Sequence, residues 1–447
     1  MVFSSPAFLF LFLPLFLAGY FLVPQRFRSA WILLGSWIYY GWWRIDFLLL
    51  MIATSIWAWF VGTRIVGAKK AGGAKPQAAR AWRTAGVVVP LLVLGYFKYF
   101  NFGVDTISGV AGLFGAQAIT AWSVILPVGI SFYTFQIISY IVDVYRGTVP
   151  AGRNLIEVAA YVSLFPQLVA GPIVRYKQIA HQFRERDHGW HNVTAGAPRF
   201  MLGLARKVLI ADAVAPIANA VFGSGSPSFA AAWLGVLAYA VQIYFDFAAY
   251  SDMAIGLGRM MGFHLPENFN MPYRSGSITE FWRRWHMTLS AWLRDYLYIP
   301  LGGNRRGARR TLVNLITVMV LGGLWHGASW SFVIWGAWHG LWLIGERLLF
   351  RDRASEIHSL AYRIAALFAV LVGWVVFRAD SVGDAWRVLA GMAGAHGFAL
   401  EATLSWKLAT GSLVALGAGL LVSALEPAIL GLVDPSRNTG ANPVAAR

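Results

Sequence analysis

Between Thr311 and Gly345 the chain carries no Asp, Glu, Lys or Arg. A bilayer-spanning helix needs only about 20 apolar residues, so one straight helix cannot account for this run. Gly322, Gly323, Gly327 and Ser329 cluster near its middle and predict a break there. Beside the break stands His326, in Leu324-Trp-His-Gly-Ala-Ser-Trp. A titratable ring deep in an apolar run is costly in lipid and is by default a functional candidate. A second histidine flanked by tryptophan, His286, closes Phe281-Trp-Arg-Arg-Trp-His.

The rest of the chain has the same apolar character. Of its 447 residues 58% are hydrophobic and 13% charged, against roughly 25% charged in a soluble domain. After a first apolar stretch, further ones recur near 30–43, 46–63, 85–103, 121–142, 154–173, 200–222, 228–262, 312–348, 361–378 and 408–432. Lipid admits only helices and closed barrels, and a barrel would show alternating segments of about ten residues. The expected fold is therefore all-α and polytopic, with about ten to twelve membrane segments. No linker is long enough to divide it, so residues 1–447 are expected to form a single integral-membrane domain, with a frayed tail over the last dozen residues.

Charge and cysteine content exclude several functions. The chain has no cysteine, which removes disulfides, thiolate metal sites and a cysteine acyl-enzyme. Its net charge of +17 comes from basic residues in short loops between apolar runs. That is the positive-inside pattern of a membrane protein, and no basic, aromatic-interleaved module suggests a nucleic-acid partner. Arg26 and Arg28 follow the first apolar stretch and no basic residue precedes it, the reverse of a secretory signal. The N-terminus is thus expected outside the cytoplasm. Lys69, Lys70, Lys75, Arg80 and Arg83 then fall on the same cytoplasmic side as Arg26 and Arg28.

The stretch from Ser275 to Arg310 carries too many charges for a lipid-facing span. Trp282, Trp285, Leu289, Trp292 and Tyr296 fall at helical spacing, and Glu280 and Arg284 pair at i, i+4. This predicts one amphipathic helix at the interface or inside the bundle, with His286 beside the aromatic stripe. Gly302-Gly-Asn-Arg-Arg-Gly after it reads as a basic turn on the cytoplasmic side.

Read from the residues alone, His326 has two explanations. A neutral imidazole, with a reference pKa of about 6.5, can take a hydroxyl proton near neutral pH. Equally, the ring can bond a backbone carbonyl freed by the glycine break. A metal site is not expected. HExxH is absent, and the thirteen residues from His326 to His339 turn a helix through roughly 1,300°, onto different faces. His339 reads as a packing residue. Asp246 and Asp252 are either solvated near a helix end or serve as an anchor and a wall of a substrate path. Gly256-x-Gly-x-x-x-Gly262 lies in an apolar helix and reads as close helix packing.

Several longer motifs resemble the membrane-bound O-acyltransferase family, and within it the alginate O-acetyltransferase branch. They are Phe165-Pro-Gln-Leu-Val-Ala-Gly-Pro-Ile, Tyr244-Phe-Asp-Phe-Ala-Ala-Tyr-Ser-Asp-Met-Ala-Ile-Gly and Asn268-Phe-Asn-Met-Pro-Tyr. Glu280 to Asn304, Leu324 to Trp330 and Val376-Phe-Arg-Ala continue the match in family order. The resemblance implies a ring of tilted helices around a thin centre, a family core over about 120–350, and a central channel joining the two faces near the histidines. It implies that His326 is catalytic, with His286 positioning or polarising, and that Trp285, Trp325, Asp246 and Ser329 border the substrate channel. It further implies an acyl thioester donor such as acetyl-CoA and no bound cofactor or metal. The acceptor would be an extracytoplasmic polysaccharide, reached directly or through a periplasmic SGNH-type acetyltransferase, in a bacterial inner membrane. D-alanylation of teichoic acid, acetylation of peptidoglycan or another glycan, and a non-catalytic transporter or scaffold are the competing readings.

Overall fold

A computed structural model of the chain describes residues 2–70, 76–357, 359–405 and 408–433. Lys75 and the expected frayed tail fall outside them. All regular elements among the described residues are helices, without strands. The N-terminal part comprises α1 (Leu13–Leu22), α2 (Arg28–Gly41), α3 (Ile45–Lys70), α4 (Pro76–Leu113), α5 (Ile130–Arg146) and α6 (Leu155–Val162). The central part comprises α7 (Trp190–Arg206), α8 (Ala213–Phe222) and the long α9 (Phe229–Met260), then the short α10 (Ile278–Arg284) and α11 (Met287–Leu293). A hairpin of α12 (Ala308–His326) and α13 (Trp330–Phe350) follows, then α14 (Leu360–Arg378), α15 (Val382–Met392) and α16 (Thr410–Val433), where the described residues end.

Four helices among the described residues are long and apolar enough to cross a membrane: Ile45–Lys70, Gln77–Leu113, Phe229–Met260 and Leu360–Arg378. Some of the other apolar stretches form shorter apolar helices, such as Ala7–Leu22 and Thr410–Leu425, and others break. Near 121–142, helical structure begins only at Ile130, after Gly129. Gly129 takes a left-handed φ of 75°, and a Cβ there would stand 2.5 Å from the Leu168 carbonyl oxygen. Near 154–173 the chain forms α6, then a single turn at Phe165–Leu168. The Ser36 hydroxyl of α2 accepts the Phe165 N–H at that break. A helix that stops inside the bundle is tolerable because a side chain receives the freed backbone group.

Glycines set the closest helix contact. A Cβ on Gly196 of α7 would lie 2.5 Å from the Gly256 carbonyl of α9, and one on Gly203 would lie 2.7 Å from the Ala249 carbonyl. Gly256 therefore packs backbone on backbone. Along the same seam Asp252 accepts from Arg199 at 2.8 Å and from Arg206 at 3.0 Å. These bonds satisfy a charge that would otherwise be buried alone.

Two large apolar clusters result. One joins α1 to α6 with the far end of α9; the other gathers α8, the near half of α9, α13, α14 and α16. Between them lies a small third cluster of Phe135, Ile138, Ile173, Leu289, Trp292, Leu293, Val318 and Trp325. The two histidines of interest sit at this junction.

Candidate active site

The charge-free run breaks at residues 327–329, between α12 and α13. His326 is the last residue of α12; Gly327 is extended, and Ser329 stands at the N-cap position of α13 without a side-chain capping bond. The hairpin closes tightly behind it. A Cβ on Gly323 would lie 2.2 Å from the Phe332 carbonyl, and one on Gly336 would lie 2.4 Å from the Met319 carbonyl. Only glycine lets the two backbones approach this far, which holds His326 at the hairpin tip.

Aromatic rings form the walls around His326. Its ring centroid lies 5.0 Å from Trp325, 5.2 Å from Trp335, 5.3 Å from Phe377 and 6.5 Å from His286. Residues 40 apart in sequence are thus brought to one place. The single amphipathic helix expected over this region does not form. The chain leaves α10 at Trp285, which is extended, and His286 takes a left-handed φ of 42° before α11 begins. A non-glycine residue held in that conformation is strained, and surrounding structure must impose it.

Asn268 imposes it. Its backbone carbonyl accepts the Met287 N–H at 2.9 Å. Its side-chain oxygen accepts the Thr288 N–H at 3.2 Å and the Thr288 hydroxyl at 2.8 Å. A backbone N–H can only donate, so that atom is the amide oxygen. His286 Nδ1, 3.0 Å from the same oxygen, must therefore carry a proton. This leaves Nε2 as an acceptor lone pair, buried and without a partner among the described residues. Asn268→Ala should orphan three buried donors, the Thr288 N–H, the Thr288 hydroxyl and the His286 Nδ1–H, each worth about 1–3 kcal/mol. We expect a lower melting temperature and at least about tenfold slower turnover, measured on purified protein in detergent; no change in either would discard the anchoring role.

Two cavities meet at His326, and both are also walled by Trp335. One, of about 160 Å³, runs between α11, α12 and α13 past Gly322, Leu293 and Met319 to Leu315, Leu343, Arg294 and Tyr298. Leu315 lies about 16 Å back along α12 from His326, toward the basic turn at 302–307. The other, of about 340 Å³, reaches His326 from among Tyr239, Asp246, Trp285, Trp374 and Phe377.

The remaining channel candidates separate. Trp285 and Asp246 line the larger cavity. Asp246 sits within α9, which continues to Met260, and pairs with Lys207 at 2.7 Å. Trp325 and Ser329 line neither cavity. Trp325 stacks instead on Phe135, whose ring in turn lies 3.6 Å from that of Trp292. His339 lies on α13, one helix beyond His326; its ring is fully buried against Trp282 and Trp335, with both nitrogens unpaired among the described residues. No group of three His, Cys, Asp or Glu among the described residues could hold a metal ion.

Four residues that matter here escaped the sequence reading. Asn268 lay inside a motif but carried no signal of its own. Glu346 ends the charge-free run and accepts the Ile278 and Thr279 N–H groups, each at 2.7 Å, holding the start of α10. Lys98 and Tyr99 of α4 reach the end of α12. Lys98 had a signal, being the sole Lys or Arg between Arg83 and Arg146.

The chain is similar to known proteins of one family. Residues 150–381 match the model of the membrane-bound O-acyltransferase family. The chain is 54% identical to the probable alginate O-acetylase AlgI of Azotobacter vinelandii over 88% of its length and 78% of that protein. It is 48% identical to the probable alginate O-acetylase AlgI of Pseudomonas putida, over 100% of this chain and 90% of the other. It is also 36% identical to the peptidoglycan O-acetyltransferase of Helicobacter pylori, over 90% and 81% of the two chains.

Proposed function

The chain belongs to the membrane-bound O-acyltransferase family and is a multi-pass membrane acyltransferase, and from that premise we propose that it acetylates an alginate-type polysaccharide. The donor is a cytoplasmic acyl thioester, acetyl-CoA or a relative of it. The acceptor hydroxyl lies outside the cytoplasm, either on the glycan itself or on a periplasmic SGNH-type acetyltransferase that relays the group. The protein resides in the bacterial inner membrane with its N-terminus outside, as the basic loops suggest.

The observation that carries this reading is the position of His326 between two cavities. The thioester reaches the ring along the smaller cavity from the basic end, and the acceptor enters through the larger one. His326 takes the proton of the acceptor hydroxyl as its oxygen attacks the thioester carbonyl. The C–S bond then breaks, and the imidazolium returns the proton to the departing thiolate. His286 lines neither cavity and supports His326 from behind, its ring 6.5 Å away, as a positioning residue; Asp246 and Trp285 border the acceptor's path. Trp325 and Ser329 belong to the scaffold at the hairpin tip.

Alginate is favoured over peptidoglycan because identity is 54% to the one relative and 36% to the other. The test is to supply purified protein in lipid nanodiscs with acetyl-labelled CoA and either mannuronate oligomers or peptidoglycan fragments, with and without the partner. We expect label on mannuronate. Label confined to peptidoglycan would replace the acceptor, and no thioester turnover with any acceptor would sink the proposed donor.

A further inference from the structure

Lys98 is a buried cation that the acyl-transfer step above does not use. It lies on α4, 9% exposed. Among the described residues no carboxylate pairs with it. Its ammonium donates to the Trp325 carbonyl and, at 3.1 Å, to the Ser131 hydroxyl, and it stands 5.7 Å above the Trp325 ring. The adjacent Tyr99 hydroxyl donates to the Leu324 carbonyl at 2.8 Å. Two consecutive residues of one helix thus occupy two consecutive carbonyls directly before His326.

Those carbonyls are among the last of α12, which have no partner within their own helix. A neutral donor such as Tyr99 satisfies one of them. Lys98 could be neutral too if the hydrogen bond were all that mattered, because burying an ammonium without a counter-ion is costly. Its charge is favourable at the negative end of the α12 dipole. That end is also where the histidine stands.

We propose that Lys98 is a positioning residue for the transfer reaction, which holds the His326 end of α12 in place and keeps a fixed positive charge beside the reacting groups. The charge acts when the acceptor oxygen attacks and negative charge develops on the thioester carbonyl; because it repels the imidazolium formed on His326, it also speeds return of that proton to the departing thiolate. A unit charge within about 10 Å, at the effective dielectric of a protein, changes such a barrier by about tenfold or more in rate. No bond to Lys98 forms or breaks.

This inference rests on the reading of His326 as the catalytic residue, and four variants measured on one preparation keep the two apart. Lys98→Arg keeps donor and charge, Lys98→Gln keeps a donor only, Lys98→Met keeps neither, and His326→Ala tests the underlying reading. In nanodiscs with labelled acetyl-CoA, Lys98→Gln and Lys98→Met should each lower kcat about tenfold or more, with the donor KM within about threefold of wild type. Lys98→Arg should recover most of the rate. If Lys98→Gln turns over like wild type while His326→Ala is dead, the charge has no role and the proposal falls. If His326→Ala is active, the catalytic reading falls and takes this one with it. Should Lys98→Met fail to fold, the Arg and Gln pair still decides, since both retain a hydrogen bond to the carbonyl.

Discussion

His326→Ala should abolish acetyl transfer while the protein still inserts and folds. The proposed role is proton transfer, and a general base is worth about 10²–10⁴ in rate. The fold has little stake in this ring. What holds the α12 end are bonds from Lys98 and Tyr99 to backbone carbonyls, which alanine keeps. The imidazole faces two cavities, so its removal enlarges existing space and opens no new hole in a packed core. His339→Leu is the matched control. That ring is also buried between tryptophans, but it lines neither cavity and its nitrogens bond nothing among the described residues. Replacing an unpaired polar ring by an apolar group of similar size is close to neutral. Acetylated polysaccharide from cells carrying each variant, with membrane yield as the folding check, separates the two. An active His326→Ala, or a His339→Leu as dead as the first, would reject the assignment.

The difference between these two histidines marks where the sequence was legible. Both occur as Trp-His-Gly in apolar surroundings, and helical spacing alone put them on different faces. The glycines around His326 signalled a break, because a run too long for one span must turn somewhere, and the chain turns at 327–329. The helical character of the whole chain followed from the same arithmetic. The course from Ser275 to Arg310 did not. Its apolar stripe has helical period, yet the bond from Asn268, distant in sequence, turns His286 left-handed and splits the helix. Spacing along a chain carries no trace of a partner 18 residues away. Lys98 shows a different gap. A lone cation in an apolar stretch invites the reading of a snorkelling residue near the interface, and only the fold reveals that it points inward to the α12 carbonyls.

Two neighbouring glycines offer a test of the smaller cavity with a built-in contrast. Gly322 lies one turn before His326 and lines that cavity. A Cβ there meets nothing closer than Leu293 Cδ1 at 3.4 Å, ordinary van der Waals contact. Gly322→Val should therefore fold, since leaving glycine in a helix interior tends to gain a fraction of a kcal/mol, which offsets the β-branch penalty. Its isopropyl group would then project into a space of only about 160 Å³. If the thioester travels this way, kcat/KM for the donor drops by at least about tenfold, some 1.4 kcal/mol of lost access, while the melting temperature stays close to wild type. Gly323→Ala fails for the opposite reason. Its Cβ would overlap the Phe332 carbonyl at 2.2 Å, and backbone cannot swing aside as a side chain can. The α12–α13 hairpin must then part, at about 1–3 kcal/mol or more, with loss of folded protein as the first sign. A smaller side chain at 323 thus harms stability, and a larger one at 322 harms passage. Were Gly322→Val to turn over acetyl thioester at the wild-type rate, the donor would have to reach His326 through the larger cavity instead, and Asp246 and Trp285 would become the residues to vary.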